Sequence, residues 1–541
     1  MMFLLQNVPN VKILLTSQSN EAVNNAIEKL HEQLSKYAPD TDRSIVRIGR
    51  KDKASPLVEW YLAQTQEGRF KNKLLRDRKD RIVLLAMHLG LPEEFAESVV
   101  HVYDSLWTLY LQIKNDFSLT NPTKPNSSTG LARRHFLNAA SALSGMDLSN
   151  DMSSPREIFD FCIQVVADTF NVINSSAIRK LRQLIEMSIE FENSLGTNDT
   201  KFTEFLIQSK SVVAGTLVGL GGRAVNLLKN TFDWVIVDEA SRATASELAI
   251  AAQVGRHVLL VGDHKQLPPS YGDEIRNELA NSLKISRSRV ESLLISDFER
   301  IFTSPYGKSA GVSLTTQYRM DPEIGQMVSE CFYDGILTTG RKPRVESFTR
   351  VLPPELQSSS LVWYDTSCSL KHGLENPLST KSILNKDEAT AIVNLLVTLF
   401  SNKEFVSEIT NQDGTSEPVG VICMYSAQKR KIREFVQLRK ELVNYQELIK
   451  IDTVDSYQGK ENRMIILSTV RQNMKNNAGF LRLANRVNVA VSRAQDALII
   501  FGSIKMWTEL KPQPLGRVLS YMRKRNLEPI PFTNLLLPHH D

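Results

Sequence analysis

The 541 residues lack most of the features that would class a chain at a glance. There are four cysteines, Cys162, Cys331, Cys368 and Cys423, scattered without metal-ligand spacing. That excludes a disulfide scaffold and points to reduced thiols in a cytoplasm, or a nucleus if the source is eukaryotic. The longest apolar stretch, around Ile82 to Leu91, falls short of the ~20 residues a membrane helix needs and carries His88. The opening MMFLLQNVPN has neither a basic leader nor a small-residue cleavage site, so it does not read as a secretory signal. A net charge of +5 is too small to mark a nucleic-acid binder by itself. No repeat of about 20 to 50 residues is visible, which argues against a solenoid or propeller. With 42% apolar and 23% charged residues, the chain is an ordinary globular protein of about three to four domain equivalents.

What is present is a rhythm. Short apolar runs lead into polar turns and then into helix-like segments: VKILL (11–15), WVIV (234–237), HVLLVG (257–262), VGVICM (419–424), MIILSTV (464–470) and ALIIFG (497–502). Unbroken Val/Ile/Leu runs of this length are the signature of parallel strands buried on both faces. The polar residues cluster after their C-terminal ends, where open α/β sheets bind ligands. An α/β fold with chemistry at the strand ends follows.

Two stretches break the rhythm. Residues 30–200 read as helical, with one loop-like segment, NPTKPNSSTG (121–130), and look like an insertion between two strand–helix units. Its first part, Arg43 to Arg81, holds 12 basic and 5 acidic residues, either a solvated helix face or a phosphate-facing arm. The second, Ser401 to Pro418, is polar, contains Asn411-Gln412-Asp413-Gly414 and reads as an exposed loop.

The sharpest chemical signal is VIVDEAS. A buried strand ending in Asp238-Glu239 offers the acid pair of a phosphoryl-transfer ATPase, one carboxylate for Mg²⁺ and one to orient the attacking water. Apolar-Asp-Glu alone is common, but the next apolar run ends in LLVGDHKQLPP, whose Asp263 and Gln266 form a second polar cluster suited to sensing a γ-phosphate.

Further motifs then fall in order. DEAS (238–241), GDHKQLPP (262–269) and TTQYRMDPEIG (315–325) resemble helicase motifs II, III and IV, while VDSYQGKEN (454–462) and VNVAVSRA (487–494) resemble motifs V and VI. SQSNEAVNN (17–25) resembles motif Ia, AGT (214–216) motif Ic, and SDFERI, CFYDGIL and STVR fit smaller family segments. Together they resemble the superfamily 1 helicases of the 5′-to-3′ branch, the group with the nonsense-mediated-decay and Sen-type enzymes.

The resemblance implies an α/β fold of two RecA-like parallel-sheet lobes, the first incomplete, with a mainly helical insertion. Residues 1–30 and 206–308 would be lobe 1, 31–205 the insertion, 309–503 lobe 2 and 504–541 a C-terminal tail. It implies ATP and Mg²⁺ as cofactors and single-stranded RNA or DNA as partner. Asp238 would hold the metal, Glu239 orient water and Gln266 sense the γ-phosphate, with Arg319 and Arg493 neutralising charge on the transferring group. Tyr318 would stack on adenine, and Asp263, Gly459 and Glu461 lie near the nucleotide. Ser19, Asn20, Thr216, Tyr425, Gln428 and Lys429 would follow the strand, alongside glycines 219, 221 and 222 and the Lys429-Arg430-Lys431 run, which also reads as a solvated helix turn.

One motif is missing. GxxxxGK[ST], whose backbone amides cradle phosphates and whose Lys pairs with them, occurs nowhere; Gly307-Lys308-Ser309 has Phe302 where the first glycine belongs. Motif Ia lies within 20 residues of Met1, so the expectation is that the chain starts inside the first lobe. That leaves HVLLVG with an unpaired edge and the chain alone with negligible ATP hydrolysis. Arg242 and Asn485 also depart from the family pattern. An ATP-independent binding or regulatory module derived from a helicase is the alternative.

Overall fold

The computed structural model describes residues 1–37, 44–113, 128–146, 154–196, 199–222, 227, 230–286, 289–290, 293–367, 376–377, 382–410, 417–457, 459–473 and 475–536. The chain forms two compact units: Met1–Ile13, Ile27–Gly215 and Gly219–Thr231 make the first, and Leu14–Ala26, Thr216–Val218 and Phe232–Asp541 the second. Asn411–Gly414 and Cys368 lie outside the described residues.

Fifteen strands are described, the first five being β1 (Ile13–Ser17), β2 (Ile45–Ile48), β3 (Val212–Thr216), β4 (Phe232–Asp238) and β5 (Gly255–Leu260). In the first unit β2 pairs with β3 in parallel, Ile45 opposite Val212. The strand at 45–48 therefore interrupts a stretch expected to be helical; its four residues, IVRI, are all buried. The helical part proper runs from Ala63 to Ser209. It has its own core, in which Phe95, Tyr103, Leu106, Phe136, Phe159 and Leu181 are fully buried. Tyr103 and Phe159 meet edge to face at 4.9 Å, a preferred aromatic geometry. Local sequence sets the helix starts: Ser154 accepts a hydrogen bond from the Glu157 amide ahead of Pro155, an N-cap followed by proline at N1.

In the second unit β4 lies between β1 and β5, and β5 ends the row as an edge strand. β4 and β5 run parallel, Trp234 opposite His257 and Val237 opposite Leu260. Next come β6 (Thr316–Gln317) and β7 (Thr338–Thr339), which pair with each other, β8 (Leu361–Asp365), β9 (Asn376–Pro377), β10 (Ile383–Leu384), β11 (Val419–Cys423), β12 (Ile449–Thr453), β13 (Asn462–Ser468), β14 (Ala494–Gly502) and β15 (Ile530–Pro531). The order β12-β11-β13-β14-β8-β15 makes a six-stranded sheet in which every pairing is parallel. Its central strand MIILS is buried on both faces, with one core around Trp363, Leu467 and Trp507 and another around Val421, Ile466 and Phe501.

Two boundaries differ from expectation. Residues 504–541, set apart above as a tail, contribute β15 to the edge of this sheet and a helix, Pro514–Lys524, whose Leu515, Val518 and Leu519 complete the first core. Within Ser401–Pro418, Lys403–Thr410 is a helix anchored by Phe405 and Ile409 rather than loop. No described helix is long and apolar enough to cross a membrane.

Candidate functional site: an acid pair facing two arginines

β4 delivers the acid pair. The Asp238 carboxylate accepts a 2.9 Å hydrogen bond from the Glu239 amide, and Glu239 turns out of the strand with φ 53° and ψ 36°. A left-handed residue with a long side chain is uncommon and clusters at functional turns. Chain direction is then recovered by Thr244, which caps the helix Ala245–Ala252 in a reciprocal box with Glu247. The ends of β4 and β5 stay joined past the strands, since the Ala240 amide donates to the Val261 carbonyl at 2.8 Å. Gly262 is needed there, because a Cβ would stand 2.9 Å from the Ser241 nitrogen.

The loop after β5 meets side chains that pack on the six-stranded sheet. Asp263 accepts from the Gln266 side chain at 2.8 Å, from the Lys265 amide at 2.9 Å and from the Tyr333 hydroxyl at 2.5 Å. Asn488 donates to both the Lys265 carbonyl and Tyr333 Oη at 2.9 Å. Asn485, at the position where an arginine was expected, bridges the carbonyls of His264 and Gln266 at 3.0 and 2.6 Å. Arg493 Nη2 donates to Gln266 Oε1 at 2.8 Å, Nε to the Val489 carbonyl at 3.0 Å and Nη1 to the Lys460 carbonyl at 3.4 Å.

The electrostatics explain what this arrangement favours. Arg493 is only 2% exposed; burial, then the like charge of Arg319, lowers its pKa to about 10, while Glu239, Tyr333 and Glu461 act in the opposite sense. Arg319 bonds through Nε to Glu461 and through Nη1 to the Ser492 carbonyl at 3.4 Å, and Gln495 holds the other Glu461 oxygen at 2.9 Å. Burial would raise the Glu461 carboxyl, but Arg319, Gln495 and Arg493 together outweigh it and hold it below the usual range. Burial, with Asp263 beside it, pushes the Tyr333 hydroxyl upward. Two guanidinium groups sharing a confined site favour an added anion, and phosphate matches their planar donor forks.

The other expected residues divide. Tyr318 is 72% exposed, and a Cβ on Gly340 would overlap its ring, so the ring is open on the side away from that glycine. Gly459 takes φ +82° in the loop before β13, and the neighbouring Lys460 reaches Glu21 at 3.6 Å. Ser19 caps the helix Asn20–Tyr37 by accepting from the Ala22 amide at 3.1 Å, Asn20 opens that helix, and Thr216 is half-buried at the end of β3. Lys429 is tied to Asp452 at 3.1 Å and Lys431 to Glu434 at 2.7 Å, so two of the three cations in the Lys-Arg-Lys run are ion-paired. Gly307-Lys308-Ser309 lies in a short helix capped by Ser304.

Gln428 and Tyr425 require correction as strand contacts. Gln428 is fully buried, and its amide spends itself on one residue, accepting from the Asn385 nitrogen at 2.9 Å and donating to its carbonyl at 3.1 Å. Its place on the inner face of the helix Ser426–Leu438 makes it structural. Tyr425 is 4% exposed, its hydroxyl accepting from Arg471 Nε at 2.8 Å, so it supports a surface rather than forming one. Sequence reasoning passed over Tyr333 and Asn488, although both stand inside segments matched above; a polar residue amid VNVAV was the available signal.

Parallel sheets with polar residues gathered at the strand ends, where Glu239 acts on the charge of Arg493, define an α/β fold of the RecA-like kind. Two families described as AAA domain match residues 2–272 and 293–505. The protein is 28% identical over 326 residues to the ATP-dependent helicase upf1 of Schizosaccharomyces pombe, covering 59% of this chain and 32% of that protein. It is 27% identical over 382 residues to the helicase sen1 of the same yeast (69% and 21%) and 31% over 400 residues to a regulator of nonsense transcripts 1 homolog of Arabidopsis thaliana (71% and 28%). Among solved structures, the Arterivirus nonstructural protein 10 helicase in complex with DNA aligns at a TM-score of 0.26 and 14% identity, covering 57% of this chain and 46% of that one. The chain belongs to the superfamily 1 helicases of the UPF1/Sen1 type. It spans about a fifth to a third of the length of these curated relatives.

Proposed function

We propose that this chain is part of an ATP-driven helicase or translocase acting on single-stranded RNA or DNA. The reading is supported by the direct contact of Arg493, in the segment resembling motif VI, with Gln266 of the segment resembling motif III, and by the charge of Glu239 acting on Arg493. An arginine supplied across a cleft can contribute ~10³–10⁵ in rate, because it meets the transferring phosphoryl group only when the two sides close.

The residues present fit ATP·Mg²⁺ in part. Asp238 would anchor the metal through a single carboxylate, consistent with a cation that keeps waters and takes phosphate oxygens as its other ligands. Bound there, the metal would neutralise phosphate charge. Glu239 would orient water, Gln266 and Arg493 would read the terminal phosphate as a bonded pair, and Arg319 would be held in reach by Glu461. Tyr318 would offer its open ring to the base. No segment of the 541 residues supplies GxxxxGK[ST], so the phosphates lack their usual amide cradle and lysine.

The chain by itself is therefore expected to bind single strands while hydrolysing ATP negligibly. The test is oligonucleotide-stimulated phosphate release, read against Glu239→Gln, alongside strand binding at low and moderate salt. Equal background turnover with salt-sensitive binding is the expected result. Release above the Glu239→Gln control overturns the first part, and absence of binding overturns the second. A second reading, an ATP-independent binding module, predicts strand affinity indifferent to nucleotide.

A further inference from the structure

Phe480 is an aromatic that the packing of the second unit leaves open. It lies in the short turn Gly479–Arg482, and while the next residue, Leu481, is fully buried, the Phe480 side chain is 51% exposed. Three groups frame it. The Tyr425 ring stands 5.9 Å away, tilted by 39°. The Arg486 guanidinium lies 5.0 Å from the centre of the Phe480 ring, and its charge is shared with Asp455 at 3.2 Å. Arg471 sits 5.4 Å from the centre of the Tyr425 ring, bonded to its hydroxyl, and packs so closely on Gly479 (φ +55°) that a Cβ there would collide with the guanidinium.

The position of this corner follows from the strands beneath it. β11 and β13 are adjacent and parallel, with Cys423 opposite Ser468, so Tyr425 and Arg471 leave the same end of the sheet, the ligand-binding end of such folds. The exit of Arg471 is fixed by an unusual bend: Val470 takes φ +65°, and its amide donates to the buried Glu388 carboxylate at 3.0 Å. A β-branched residue held left-handed is an outlier that the surroundings must enforce.

We propose that Phe480 is a base-stacking platform for single-stranded nucleic acid, with Arg471 and Arg486 placed to meet the flanking phosphates. This rests on the strand-binding reading above and adds to it a contact that no motif named. An exposed ring bracketed by guanidinium groups suits a base between phosphates: the face takes any base and the cations take the backbone. Tyr425 acts from beneath, fixing Arg471 through its hydroxyl and setting the tilt of Phe480.

The experiment uses the full chain and a fluorescein-labelled 20-nucleotide homopolymer, ribo and deoxyribo in separate arms, with a 2-aminopurine version to report stacking. Phe480→Ala is expected to weaken binding about 10-fold and to abolish the stacking quench, while Phe480→Trp retains both. On an abasic strand the Phe480→Ala penalty should vanish, an outcome that a folding defect could not mimic. Arg471→Ala is expected to weaken every strand and to lower the salt slope by ~1. If wild type binds and Phe480→Ala binds equally well, this inference is wrong while the strand-binding reading stands. If wild type binds neither polymer, the strand-binding reading fails and this one falls with it.

Discussion

Glu388 lies fully buried in the first turn of the helix Lys386–Ser401, where one oxygen accepts from the Ser468 hydroxyl at 2.5 Å and from the Val470 amide. Burial pushes its carboxyl up to about 7, against a hydrogen-bond contribution of opposite sign. Because the folded-state value is raised, the folded chain holds this proton more tightly than the unfolded chain does. Stability from this group is complete at pH values below the ordinary carboxylate range and is lost as pH rises toward 7. Glu388→Gln keeps an acceptor without the charge, so it should gain stability relative to wild type on going from pH 5 to pH 8, by on the order of 2–3 kcal/mol. Urea midpoints at the two pH values check it; a constant difference would show that the carboxylate pays no desolvation cost. Gln428 gives a complementary test. Gln428→Ala removes both of its bonds to Asn385 from the interior, although the Asn385 carbonyl keeps the Ala389 amide at 3.1 Å, and should cost about 1–3 kcal/mol of stability. Its affinity for a single-stranded oligonucleotide should change less than about twofold, whereas a strand-contacting glutamine would show the reverse pattern.

β5 is the element most at odds with its own sequence. HVLLVG has the composition of a strand buried on both faces, yet Val258, Leu259 and Val261 are 42–46% exposed and the strand ends its row. An apolar edge with unpaired backbone groups is a template for association. The chain is expected to self-associate with rising concentration in sedimentation velocity, and Leu259→Lys to reduce that association while leaving the unfolding free energy within about 0.5 kcal/mol. Unchanged sedimentation of the variant would place the association elsewhere. Elements such as VGVICM and MIILSTV behaved as their composition dictates, because a strand with neighbours on both sides and helices on both faces needs only apolar bulk. The strand at 45–48 escaped notice for the opposite reason: Arg47 broke the apolar run, although it too is buried.

Across the molecule, the acid pair could be read in the sequence because it closes an apolar run, and the arginines because their segments resemble helicase motifs. Tyr333, Asn488 and Asn485 could not be assigned roles that way: they act by bonding to a loop some 70 to 220 positions away in the chain, a distance only the fold closes. Gln428 was misread because a helix beginning at a strand end has an inner as well as an outer face, and sequence position alone does not choose between them. The segments resembling motifs III and VI meet through Gln266 and Arg493, and the coupling of these two residues measures that meeting. A double-mutant cycle of Gln266→Ala and Arg493→Ala on urea unfolding should show a coupling of about 1 kcal/mol or more for a charged hydrogen bond. Two substitutions whose effects simply add, within ~0.3–0.5 kcal/mol, would contradict it.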